Sequence, residues 1–301
     1  MFPRLEKLRI SQCEKLTALP GRPSFPELQN AFIRRCPELR ITAESPKLSV
    51  LNVNGSEVQL FRWLSRHMTS LTNLVLISIE HSADTTSMGA ENSLGEVVNV
   101  KENGNDQDFP LEVLVLKDFK SGISVTVLCA CFVHLQDLSI VRCHTLVHWP
   151  EKLFEGLVSL RKLWIQQCNN LTGYAQAPLE PLAFERSQHL RGLESLFLQN
   201  CPSLVEMFNV PTSLKKMDID QCIKLESIFS KQHGMAELVQ GSSSSEAVMP
   251  AAVSELPSSP MNHFCPCLED LYLIGCGSLP AVLNLPLSLR TFEISRCSTI
   301  Q

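Results

Sequence analysis

One pattern recurs along this chain and constrains its fold more than any other feature: Leu-x-x-Leu-x-Ile/Leu-x-x-Cys-x-x-Leu. Its clearest copies are LRKLWIQQCNNL (Leu160 to Leu171) and LQDLSIVRCHTL (Leu135 to Leu146). Eleven copies begin at Leu5, Leu28, Leu48, Leu71, Leu111, Leu135, Leu160, Leu193, Leu214, Leu268 and Leu289. Most spacings are 20 to 25 residues, and three are longer, at 40, 33 and 54. A fixed strand with a variable return arm produces that series, because only the strand must keep register with its neighbours. Within a copy, Leu163 and Ile165 alternate with Lys162, Trp164 and Gln166. A period of two puts the aliphatics on one face and the other residues on the opposite face. No copy buries its aliphatic face alone. Parallel stacking gives one continuous core and one open sheet.

Eight cysteines hold the same place in the copy: Cys13, Cys36, Cys143, Cys168, Cys201, Cys222, Cys276 and Cys297. A small buried side chain with a weak donor suits the turn out of the strand, where it can bond a backbone carbonyl. Copies three to five carry Ser56, Ile79 and Phe119 there, which predicts less regular turns. The whole pattern is similar to the leucine-rich repeat. That similarity implies an α/β solenoid: a leucine-rich-repeat horseshoe with a parallel concave sheet and an irregular or short-helical convex side. It spans residues 1–301 as one domain of about eleven repeats.

Composition agrees with one elongated domain. The chain has 301 residues, 44% of them hydrophobic, and a net charge of −5 that argues against nucleic acid as the main partner. Residues 1–66 carry eleven Lys/Arg against six Asp/Glu, and the remainder fifteen against twenty-five. That asymmetry is either the scatter of a solvated surface or a basic end that docks an acidic partner. The cysteines follow the repeat period, so they are expected to face the core as separate thiols in a reducing compartment. The opening MFPRLEKLRISQC is charged and already repeat one, unlike a secretory leader. No apolar run reaches membrane-spanning length.

In the return arm 56–71, Val58, Phe61, Leu64, Met68 and Leu71 fall at helical spacing. EKLFEGL (Glu151 to Leu157), just after Pro150, reads as a shorter helix. Two insertions break the period. Residues 80–108 form an acidic loop with seven acids and one lysine; residues 230–264 form a Ser/Pro-rich loop. Both are too polar to order themselves, and a solenoid core closes without them.

Further motifs narrow the resemblance. They are CEKLTALP (Cys13 to Pro20), CHTLVHWP (Cys143 to Pro150), CGSLP (Cys276 to Pro280), the stretch Gly55 to Leu76, and VPTSLKKMDIDQCIKLESIF (Val210 to Phe229). Together they resemble the leucine-rich-repeat region of plant coiled-coil nucleotide-binding (NB-LRR) disease resistance proteins. The resemblance implies a cytoplasmic or nucleocytoplasmic recognition module that senses a pathogen effector or a guarded host protein. It also implies a nucleotide-binding module as a partner in cis or in trans. The sequence contains no G-x-x-x-x-G-K-[ST] phosphate loop, so the nucleotide switch itself is missing. A leucine-rich-repeat adaptor of the F-box type for ubiquitin ligation, or an enzyme-inhibitor horseshoe, are the alternative readings.

Nothing in the sequence reads as an enzyme or as a cofactor site. The histidines are scattered, and Cys129-x-Cys131 and Cys265-x-Cys267 lack a second pair at zinc-site spacing. The open face is more informative. The residue between the strand aliphatics is, in order, Arg9, Phe32, Asn52, Val75, Val115, Ser139, Trp164, Phe197, Asp218, Tyr272 and Glu293. Trp164 and Phe197 fall on successive strands. With Lys162, Gln199, Asp218, Tyr272, Arg9 and Phe32 they form the expected protein-binding surface, since aromatics among polar residues make interaction hot spots. Cross-strand stacking that only stabilises the sheet is the competing reading.

Overall fold

Each period-two stretch is a β-strand in the computed structural model of the chain. The structure describes residues 2–19, 25–36, 38–39, 45–55, 70–78, 109–120, 133–174, 190–229, 265–280, 283 and 285–298. The strands are β1 (Lys7–Ser11), β2 (Asn30–Arg34), β3 (Val50–Gly55), β4 (Asn73–Ser78), β5 (Val113–Lys117) and β6 (Asp137–Val141). They continue as β7 (Lys162–Gln166), β8 (Ser195–Gln199), β9 (Lys216–Asp220), β10 (Asp270–Ile274) and β11 (Thr291–Ser295). All eleven form one sheet in chain order, which makes the molecule a parallel β-solenoid. Each strand pairs in register with its neighbours, including β4 with β5 and β9 with β10, across the two insertions.

Burial follows the alternation. Leu138, Ile140, Leu163, Ile165, Leu196, Leu198, Met217 and Ile219 are at most 1% exposed, so one face of the sheet is core throughout. The end strands are less covered: Leu5, Leu8, Leu289 and Ile294 are partly buried, and Phe292 is 42% exposed.

Two turns frame each strand. The leucine that opens the copy donates its N–H three residues back, as in Leu160 to Leu157 at 3.2 Å and Leu193 to Leu190 at 2.8 Å. After the strand, the residue before the cysteine position takes positive φ in nine copies, at +52° to +65°: Gln12, Arg35, Asp118, Arg142, Gln167, Asn200, Gln221, Gly275 and Arg296. Only Gly275 takes this geometry without steric cost; each L-residue pays roughly 1 kcal/mol. The turn persists because it keeps the backbone on the ladder. Arg142 donates its N–H to the Gln166 carbonyl at 2.9 Å, and Gln167 donates to Gln199 at 2.8 Å.

The cysteine then drops beneath this turn, as its sequence position implies. Cys143, Cys168, Cys201, Cys222 and Cys276 are fully buried, and Cys13 and Cys297, near the two ends, are half-buried. Each thiol lies near the carbonyl two residues back, and several near one from the preceding strand. Cys276 Sγ, for example, is 3.6 Å from Ile274 O and 3.7 Å from Ile219 O. Copy five departs from expectation. Phe119 takes the cysteine position, is 1% exposed, and follows the same left-handed turn at Asp118. Its turn is regular because the geometry needs any buried apolar side chain there. In copies three and four the strands run one residue longer, to Gly55 and Ser78, through the position where the others turn.

The expected helix after Pro150 is observed as α1 (Glu151–Gly156), between β6 and β7. It is the one helix among the described residues, so the described fold is a β-solenoid and not an alternation of strands and helices. The helix expected over 56–71 lies almost entirely outside the described residues, as do both insertions. Behind the middle strands, Trp149, Phe154 and Phe208 form an aromatic cluster with ring centroids 5.1 to 6.4 Å apart. Trp149 Nε1 donates to Glu206 O at 2.9 Å, tying copy six to copy eight.

Candidate protein-interaction face

The face opposite the core is lined by the alternate residues of each strand. Register puts the central ones in one unbroken row, from Arg9 and Phe32 on β1 and β2 to Tyr272 and Glu293 on β10 and β11. All eight expected surface residues lie on this face. They fall into two groups. Lys162, Trp164, Phe197, Gln199, Asp218 and Tyr272 come together on β7 to β10. Arg9 and Phe32 sit apart: β2 and β7 are five ladder steps away from each other, about 24 Å. There they form a pair of their own, the Arg9 guanidinium 5.4 Å from the Phe32 centroid.

In the first group, the Trp164 and Phe197 rings stack with centroids 4.9 Å apart and planes 21° from parallel. Both side chains remain half-exposed. The Lys162 ammonium lies 5.7 Å from the Phe197 centroid, and that of Lys216 lies 5.6 Å from Phe197 and 5.2 Å from Tyr272. Cations at these distances are attracted to the π-face. Asp218 stands between Phe197 and Tyr272 in register. Partial burial raises its pKa above the ordinary aspartate value; Lys216 opposes the shift, and Asp220 and Glu293 add to it. No protein-family model matches this chain, and no curated protein matches it. The face therefore has to be read from its own chemistry.

Three polar atoms on the face are buried without a partner: Trp164 Nε1, Asn52 Oδ1 and Asn54 Oδ1. Sequence reasoning placed Asn52 on the open face but not its burial, 9% exposed between Phe32 and Val75. Lys216, which the repeat places beside these aromatics, lies against both Phe197 and Tyr272.

The rim where the strands begin carries a second row, Glu112, Gln136, Arg161, Glu194, Lys215, Glu269 and Arg290. Glu194 receives both Arg161 and Lys215 at 3.3 Å, and Arg290 lies 3.5 Å from Glu269. A trough of about 800 Å³ follows this rim from Glu112 to Lys215. Its charges are largely paired among themselves, which leaves little to select a ligand.

For metal chemistry, Cys265 is buried and Cys267 exposed. The other close pair, Cys129 and Cys131, lies outside the described residues. No group of three potential ligands occurs among the described residues. No helix among them is long and apolar enough to cross a membrane.

Proposed function

We propose that this chain is a leucine-rich-repeat horseshoe whose open, concave face recognises a protein partner, as the sensing region of an intracellular plant immune receptor. The observation that carries the reading is the half-exposed Trp164–Phe197 stack set among lysines and aspartates. Stiff aromatic rings offer large contact area with few rotors to freeze, and neighbouring charges set orientation. The partner is a pathogen effector or a host protein that the receptor guards. The row of free thiols supports a reducing, cytoplasmic setting. The position-specific cysteine and the turn before it support the leucine-rich-repeat reading over other parallel solenoids.

Photo-crosslinking tests the face directly. A benzoylphenylalanine replacing Ser195 on β8 should trap the partner, and the same group replacing exposed Glu155 on α1 should not. Trp164→Ala and Phe197→Ala should each weaken binding of the trapped protein by about 2 kcal/mol, roughly thirtyfold. Equal trapping from Glu155, or aromatic variants that bind as the wild type does, would sink the proposal.

A further inference from the structure

The open face is charge-polarised along the solenoid. On β1 to β4 it carries Lys7, Arg9 and Arg34 and no acid. On β9 to β11 it carries Asp218, Asp220, Asp270 and Glu293 against Lys216 alone. Register arranges the second set around a ring: Tyr272 has Asp218 on one neighbouring strand, Glu293 on the other, and Asp270 two residues before it. Among the described residues, no ion pair closes on any of these four carboxylates, whereas the rim acids Glu194 and Glu269 are paired.

Lys216 already shows what the arrangement attracts. Its ammonium lies within 5.6 Å of both the Phe197 and Tyr272 centroids, spanning Asp218. One cation does not neutralise the set. Repulsion from Asp220 and Glu293 still adds to the upward shift at Asp218. An aromatic face flanked by carboxylates favours a planar guanidinium, which stacks on the ring while its N–H fork reaches both acids.

We propose that β8 to β11 bind a basic segment of the protein partner through an arginine side chain that stacks on Tyr272 between Asp218 and Glu293, displacing the Lys216 ammonium. This rests on the reading of the open face as a protein-binding surface. It adds the chemistry of the partner and the direction in which that partner lies: basic toward β11, away from Lys7, Arg9 and Arg34.

The test uses the full chain and fluorescein-labelled peptides, so it needs no identified partner. The probes are a (Gly-Arg)4 octapeptide, its lysine counterpart, and its citrulline counterpart, which has the same shape without charge. By anisotropy at low ionic strength, the citrulline peptide should bind at least about tenfold more weakly than the arginine peptide, and the lysine peptide in between. Asp218→Asn combined with Glu293→Gln should weaken the arginine peptide by about tenfold or more, whereas Lys7→Gln with Arg34→Gln should not weaken it. Tyr272→Ala should weaken binding and Tyr272→Phe should not, which separates ring stacking from a folding defect. Lys216→Gln should tighten binding by about threefold, because the internal cation no longer competes. Equal binding of arginine and citrulline peptides, or unchanged binding by the Asp218→Asn/Glu293→Gln variant, would overturn the proposal. If instead the peptide arm behaves as expected while Trp164→Ala leaves capture of the partner intact, the reading of the aromatic stack fails and the cation site stands.

Discussion

Buried thiols under a turn behave as small apolar side chains with one weak hydrogen bond. Burial pushes Cys276 and Cys265 up to about 12, and the Cys168 thiol is also raised, first by burial and then by its neighbours Cys201 and Cys143. Cys222 is raised too, first by its hydrogen bond with Cys201 and then by burial. At neutral pH Cys168, Cys222, Cys265 and Cys276 stay protonated, the unreactive form, whereas the hydrogen bond with Cys222 lowers Cys201, which burial alone shields from reagent. With iodoacetamide, exposed Cys267 should be alkylated first and half-buried Cys13 and Cys297 next. Cys143, Cys168, Cys201, Cys222 and Cys276 should stay unmodified until the protein unfolds; peptide mass mapping reads the order. Cys168→Ala should lower the stability by about 1–2 kcal/mol in urea titration, from lost packing and a weakened contact with Gln166 O.

Asp218 gives a pH dependence of definite sign. Its folded-state pKa lies above the unfolded value, so the folded chain holds this proton more readily. That contribution to stability is present at low pH and is lost as pH rises through the interval between the two values. At neutral pH the ionised carboxylate is a cost. Asp218→Asn should therefore unfold at a higher midpoint than wild type at about pH 7, and the gap should close by about pH 3, where the wild-type side chain is itself neutral. A gap that widens on acidification would contradict the assignment.

At the scale of single elements, the sheet and its backing are held by different groups. The Trp164–Phe197 stack joins β7 to β8 on the open side, and such pairs contribute about 1 kcal/mol beyond their burial. Phe208, 2% exposed, packs against both Trp149 and Phe154 and so joins the return arm of copy eight to α1 in copy six. Phe208→Ala should cost about 3–5 kcal/mol by chemical denaturation, several times the stability cost of Phe197→Ala. Comparable losses for the two would mean that the open-face stack is structural first.

These elements also show what was legible beforehand. Every strand was readable, because Leu163 and Ile165, with their counterparts in ten other copies, must sit at fixed offsets for the stack to close. The adjacency of Trp164 and Phe197 followed from the same offsets across a 33-residue spacing. The left-handed turn was not readable. Gln, Arg, Asp and Asn occupy it as well as Gly275, and its cause is a hydrogen bond to the next strand. The burial of Asn52 and the pairing of Glu194 depend on neighbours in space, which a repeat pattern aligns but does not describe.

For the whole molecule, in-register pairing of β4 with β5 and of β9 with β10 means that neither insertion is needed to complete the ladder. Excising 84–104 or 235–260 should leave one cooperative unfolding transition by circular dichroism, with the midpoint little changed. Splitting into two transitions would show that an insertion carries part of the core.

The uneven spacing of the strands has a kinetic side. Closing the 54-residue excursion before β10 costs only about 0.8 kcal/mol more in chain entropy than closing a 21-residue one. That is a small equilibrium penalty, yet it delays the encounter of the two strands. β6 to β9, joined by shorter arms and backed by Trp149, Phe154 and Phe208, are thus placed to form a nucleus from which assembly spreads outward. β10 and β11, which carry Tyr272 and Glu293, would then dock last. Pulsed hydrogen exchange during refolding should show Leu163 and Leu196 amides protected before Leu271, and the 235–260 excision should shorten that lag.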